Sequence, residues 1–146
     1  MARMETYVAT ICLVRDPAVP DEELVRALSD WKRLKDGSEH PPKWNRTGTP
    51  DTLEGFLRLL FASKPGIPGP FGISTRGNRT SAGALFLAGA GWTPLVAQAL
   101  SSMAFGLRPG TYLDVSRSRP DGVSHRRFEI VCNGDGEPEV EEVGSR

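Results

Sequence analysis

Apolar and polar positions along the chain fall into segments of two periods. Residues 7–14, Tyr-Val-Ala-Thr-Ile-Cys-Leu-Val, are apolar on both alternating faces, the pattern of a strand flanked by other strands inside a sheet. Asp16, Pro17 and Pro20 break the extension. Asp21, Glu22 and Glu23 then place negative charge where a helix N-terminus is electropositive. Leu24, Leu28 and Trp31 follow at helical spacing, and Lys32, Arg33 and Lys35 suit the last turn. This predicts a helix over 21–35. Residues 37–48, with His40, two prolines and Trp44, lack periodicity and read as a loop. A second helix is predicted over 50–63, with Thr49 as cap, Pro50 at the first position and Leu53, Phe56, Leu57, Leu60 and Phe61 along one stripe.

Further on, residues 71–75 and 84–88 read as two short strands joined by a polar turn over 76–81. Thr93 offers a cap and Pro94 a first helical residue for a short third helix that faces Val96, Leu100 and Met103 inward and stops at Gly106. Residues 111–118 and 123–133 are strands around Asp121-Gly122, a strong hairpin signal. The segment 134–146 is an acidic tail that either docks through Val140 and Val143 or stays disordered. Together these elements predict an α+β fold: a mainly antiparallel sheet of about five strands with two to three helices packed on one face. They form one domain over 1–133, followed by the tail. The expected core takes Leu24, Leu28, Leu53, Phe56, Leu57 and Leu60 from the helices, and Val8, Ile11, Leu13, Leu85, Leu113, Val115, Phe128 and Ile130 from the strands.

Composition narrows the class. The 146 residues and 15.9 kDa suit one core. With 18 basic and 18 acidic residues, no bulk charge draws the molecule to nucleic acid or an anionic membrane. No apolar run approaches the roughly 20 residues of a membrane span, and Met1 to Thr6 lack a charged lead before an apolar signal core. A cytoplasmic protein is expected. Asn45 and Asn78 match the glycosylation acceptor pattern but, without an export signal, read as turns. Cys12 and Cys132 have no metal-site or redox-pair spacing and are expected as buried, reduced thiols.

The neutral total hides a dipolar chain: residues 37–127 hold 11 bases and 5 acids, and residues 128–146 hold 1 base and 6 acids. A two-residue Asp121-Gly122 loop would set Val115 against Phe128, Leu113 against Ile130 and Thr111 against Cys132. It would also set Arg117 opposite Arg126, with Arg119 and Arg127 close by. Like charges directly opposed on a hairpin are unfavourable by about 0.2–1 kcal/mol; either the tip is simply solvated or an anionic counterpart relieves the conflict. Candidates are a partner's carboxylate surface, a phosphate, or the tail's own Glu137, Glu139, Glu141 and Glu142. Replacing Arg117 and Arg126 by Ser is then expected to raise stability slightly.

Other chemistry is thinner. Leu87-Ala88-Gly89-Ala90-Gly91-Trp92-Thr93, between strand and helix, has a place where backbone N–H groups would cradle a phosphate. The third glycine of a dinucleotide fingerprint is replaced by Pro94, however, and no Lys-Ser/Thr pair follows. His40 lies in a loop, and His125 falls opposite Ser118 in the same register. Neither accompanies a nucleophile elbow. Asp114 and Glu129 would face each other as a carboxylate pair.

The order of a first strand over 7–14, a helix ending near Trp31, a Leu-rich helix over 51–60 and then two hairpins resembles the layout of some immunity proteins of bacterial polymorphic toxin systems. The resemblance covers most of the chain as a layout, without a diagnostic motif. It implies a non-enzymatic inhibitor of a toxin or other protein. The expected function is accordingly a cytoplasmic protein-binding module that meets an acidic partner surface through a basic hairpin tip, Arg117, Arg119, Arg126 and Arg127, joined by Arg76 and Arg79. No catalytic residue, cofactor or metal is expected. The alternatives are a nucleotide-binding protein or small enzyme using residues 89–93, and a nucleic-acid-binding accessory protein.

Overall fold

The computed structural model describes residues 5–36, 52–60, 70–88 and 91–144. Their order is β1 (Glu5–Val14), α1 (Asp21–Asp36), α2 (Leu53–Leu60), β2 (Pro70–Arg76), β3 (Arg79–Ala88), α3 (Trp92–Met103), a 3-10 turn (Ala104–Gly106), β4 (Tyr112–Arg119), β5 (Gly122–Cys132) and β6 (Pro138–Val143). The strands form one six-stranded antiparallel sheet in the order β2-β3-β1-β4-β5-β6. Among the described residues no helix is long and apolar enough to cross a membrane.

β1 lies inside the sheet, as its apolar run predicts, with β3 on one side and β4 on the other. Its alternation decides which side chains meet the helices. Tyr7, Ala9, Ile11 and Leu13 are buried and align with Phe86, Ala84, Ala82 and Thr80 of β3, while Leu113 and Val115 of β4 flank Ile11 and Ala9. Phe128 and Ile130 of β5 continue this face, and Leu24, Leu28, Leu53, Phe56, Leu57, Val96, Leu100 and Met103 of the helices close over it. Val8 and Leu85, expected in the core, point the other way. They pair directly across β1 and β3 and are 47% and 41% exposed, because a strand's side chains change face at every residue.

Local chemistry sets the element ends, and some differ from expectation. For α2 the cap is Thr52, whose Oγ1 accepts from Gly55 N at 3.0 Å, and Asp21 Oδ2 accepts from Leu53 N at 3.2 Å. The proposed cap at Thr49 lies outside the described residues. α3 begins at Trp92 after Gly91, so Thr93 is inside the helix and buried rather than capping it. The polar turn expected over 76–81 contracts to Gly77-Asn78. Gly77 at φ 61° opens a turn whose second residue keeps negative φ, the geometry favoured in two-residue hairpins, and strand pairing resumes at Arg79.

The acidic tail docks. β6 pairs with β5 from Arg127↔Val143 to Cys132↔Pro138, which makes the sixth strand. The connecting turn is organised by Asn133, whose Oδ1 accepts from Asp135 N and Glu137 N, while Asn133 N donates to Glu137 O. At the opposite edge β2 carries Pro70 and an irregularity between Phe71 and Ser74, where Gly72 takes φ 69°. Both cysteines are free thiols, but only Cys12 is buried. Cys132, at the end of β5, is exposed.

Two buried positions tie the halves of the fold together. Thr111 Oγ1 accepts from Val14 N at 2.9 Å, anchoring the end of β1 to the start of β4. Gly106 lies against Leu24 and Val19, where a methyl group would collide with both. Thr111→Val is expected to lose about 1–3 kcal/mol by leaving the Val14 amide unsatisfied. Gly106→Ala is expected to lose about 1–3 kcal/mol by overpacking. Urea unfolding midpoints of the two variants check both values.

Candidate functional site

The β4–β5 hairpin turns at Pro120-Asp121, one position earlier than Asp121-Gly122, with Arg119 paired to Gly122. Proline explains the difference. It fixes the φ of a first turn position and cannot donate to a strand ladder, and Gly122 accommodates φ 143° at the exit. The pairing therefore slides by two residues. Leu113 faces Phe128, Val115 faces Arg126 and Arg117 faces Ser124. A slide of two keeps every side chain on its expected face, so Leu113, Val115, Phe128 and Ile130 still share the buried side. Arg117 and Arg126 remain on one face but become diagonal neighbours rather than an opposed pair.

The six arginines do not form one surface. Arg76 and Arg79 face each other across the Gly77-Asn78 turn at the Val14 end of β1, and Arg117 and Arg119 lie at its Glu5 end. Ten residues of strand separate these ends, roughly 30 Å at about 3.3 Å per residue. Arg76 and Arg79 stand exposed, and Arg79 Nη1 approaches Cys12 Sγ at 3.8 Å. Arg127 points to the sheet face opposite Arg126. There it donates from Nη1 to Asp114 Oδ2 at 3.0 Å and from Nε to Glu129 Oε2 at 2.7 Å, with its guanidinium 4.4 Å from the Tyr112 ring centre. His125 faces Ser116, not Ser118, and its Nε2 lies 2.7 Å from Asp114 Oδ1. Asp114 and Glu129 are thus bridged by Arg127 instead of opposing one another as a bare carboxylate pair. His40 lies outside the described residues.

What converges is on the helix-covered face. A cavity of about 60 Å³ is lined by Tyr7 of β1, Thr93 of α3, Val115 and Arg117 of β4, and Ser124 and Arg126 of β5. Behind it Tyr7, Phe86 and Trp92 pack ring to ring, with centroids 4.6–5.9 Å apart, and hold the start of α3 against the sheet. That packing brings Thr93, from the Gly-rich strand-to-helix connection, beside the two arginines of the hairpin. The two features that stand far apart in sequence share one cavity, although Gly89 and Ala90 lie outside the described residues. The first turn of α3 contains no acidic residue, and its Gly91 cap makes no side-chain hydrogen bond.

Each arginine at this end already has a carboxylate. Arg126 donates from Nε and Nη2 to the two oxygens of Glu142, both at 2.8 Å, and its guanidinium lies 5.0 Å from the Phe128 ring centre. Hydrogen bonding to Arg126 holds the Glu142 carboxyl below its ordinary range and raises the guanidinium correspondingly. Arg117 Nε is 2.9 Å from Glu5 Oε2, and Arg119 Nε is 3.6 Å from the same oxygen. The Arg117–Glu5 pair is close without being aligned: both atoms are buried and neither makes a hydrogen bond. Three guanidiniums against two carboxylates leave one positive charge. Replacing Arg117 and Arg126 would therefore leave Glu142 without its partner and Glu5 with only the longer Arg119 contact, and the stability gain expected from relieving repulsion does not follow.

Glu5, Tyr7 and Ser124 are not among the expected site residues. Glu142 is one of the four tail carboxylates expected as possible counterparts of the arginines, and Thr93 belongs to the Gly-rich turn read as an alternative site. Glu5 reaches Arg117 through the β1–β4 register, which no local pattern encodes. Compared with known proteins, the chain matches no family model, no curated protein and no solved structure.

Because the Glu142 carboxyl is lowered in the folded state, its contribution to stability is present above its unfolded value of about 4.3 and is lost as pH falls through the folded value. Amide protection factors along β6 are expected to decline as pH drops below about 4.3. The decline should flatten in Glu142→Gln, as native-state hydrogen exchange would show.

Proposed function

We propose that the chain is a non-enzymatic binding module that takes an anionic group of a protein partner at the cavity between α3 and the β4–β5 hairpin. One observation carries this role: Arg117 and Arg126, on adjacent strands and on one face, line the same cavity as Thr93 and Ser124. Guanidinium forks and hydroxyl donors are the groups that recognise carboxylate or phosphate oxygens. The lining supplies cations and hydroxyls but no histidine, cysteine or carboxylate positioned as a general base, which favours binding over catalysis. Its volume of about 60 Å³ is far below the roughly 300–1,000 Å³ typical of nucleotide-sized sites. A nucleic acid would need a continuous basic track, whereas among the described residues the six candidate arginines stand at opposite ends of the sheet. Inhibition of a toxin, as the layout resemblance implies, is one form such a role takes.

The test is a peptide panel in three matched sets, Asp/Glu-rich, phosphoserine-containing and neutral, titrated against the wild-type chain and against Arg126→Lys. Binding to one or both anionic sets, weakened by salt and by the Lys variant, supports the role. Equal binding to neutral peptides, or insensitivity to Arg126→Lys, overturns it. The expected loss on replacing the bidentate fork is about 1.5–3 kcal/mol.

A further inference from the structure

The contacts of Glu142 restrict what can enter. This carboxylate makes both hydrogen bonds that a bidentate acid could make with Arg126, and it is delivered by β6 of the same chain. An internal group of this kind competes at a high effective concentration. A carboxylate from outside would exchange like for like and gain nothing at Arg126. A successful ligand must therefore offer more than Glu142 does: a second negative charge, and a third oxygen for donors that Glu142 leaves unused.

Such donors are present. Arg117 lines the cavity with its Nε buried against Glu5 Oε2 at 2.9 Å without a hydrogen bond, which leaves its terminal N–H groups as the donors for a ligand, and Ser124 and Thr93 line the cavity beside Arg117 and Arg126. A volume of about 60 Å³ has room for a few water-sized groups, the scale of a small anion rather than of a nucleotide.

We propose that the anionic group recognised here is a phosphate monoester in its dianionic form, bridging Arg117 and Arg126 with Ser124 and Thr93 and displacing Glu142 from Arg126. The inference rests on the binding role proposed above and narrows its ligand. Since the second ionisation of such an ester lies near pH 6, affinity increases severalfold between pH 5.5 and pH 7.5. Glu142, lowered below the ordinary carboxylate range, stays ionised throughout that interval.

The test is an NMR titration of the full chain with N-acetyl-phosphoserine amide, inorganic phosphate, and N-acetyl-glutamate amide as the carboxylate control, following Thr93, Ser124 and the arginine Nε resonances. Phosphate probes are expected to bind at least about tenfold more tightly than the carboxylate control, the margin that a second charge and extra charge-assisted bonds supply. Glu142→Gln, which removes the internal competitor, is expected to tighten phosphate binding about tenfold. Ser124→Ala, which leaves both ion pairs intact, is expected to weaken it about fivefold, the equivalent of one hydrogen bond. The β5–β6 amide pattern checks that each variant keeps its fold. Tighter binding of the ester than of inorganic phosphate assigns a modified protein side chain as the source, and equal binding assigns the free anion. Both support the site. A carboxylate control that binds as well as phosphate overturns the inference while leaving the binding role intact. Unchanged phosphate affinity in Glu142→Gln overturns the displacement of Glu142.

Discussion

Everything in this fold is referred to the alternation of side chains along β1. Tyr7, Ala9, Ile11 and Leu13 must leave water together, and because β1 is paired on both sides, its register fixes the faces of β3 and β4 and, through β4, of β5. The helices have one place to put their apolar stripes, over that row. The same register sets Glu5 beside Arg117 and Tyr7 beside Phe86, so the cavity is a product of core packing rather than a feature added to it. Small alanines at positions 9, 82 and 84 in the middle of the row let helices approach closely, while larger rings at positions 7, 86 and 92 fill the end near the hairpin.

At that end the protein manages a concentration of positive charge with carboxylates drawn from its two sequence extremes. Glu5 opens the first strand and Glu142 nearly closes the last. The Arg126–Glu142 pair is well exposed and contributes modestly to stability, whereas the facing atoms of Arg117 and Glu5 are buried. In the binding role proposed above, the larger effect of both pairs is on recognition. A basic pocket with most of its charge already answered does not attract every acidic surface that diffuses past, and selectivity would arise from what an incoming group can add beyond the contacts it replaces.

Much of the architecture was legible because hydrophobic period reports burial directly. The stripe Leu53, Phe56 and Leu57 suits one face of a helix, and the short run over 7–14, apolar on both alternating faces but for Thr10, suits a strand flanked by others. What escaped was decided by backbone details that leave period unchanged. The hairpin slid because Pro120 belongs in a turn, yet a slide of two residues preserves parity, so the buried set survived a wrong register. Val8 and Leu85 are apolar and nevertheless outward, since parity along β1 outranks hydrophobicity at a single position. The site was less legible still. Arg117 and Arg126 announced themselves by charge, but the cavity needs Thr93, held by an aromatic cluster assembled from three separate elements, and Glu5 and Glu142, which are remote in sequence. The expected union of six arginines failed because two hairpins of one antiparallel sheet can turn at opposite ends.

The two margins of the sheet differ in how they meet a second molecule of the same kind. Along β2, a proline and a positive-φ glycine interrupt the row of amides that a foreign strand would need. Along β6, the exposed Glu139 and Glu141 form a negatively charged border, and two such borders brought together in antiparallel fashion would set acid against acid. Stacking of copies into a continuous ribbon is thus opposed geometrically at one margin and electrostatically at the other. The tail that completes the sheet also brings charge to the edge it creates.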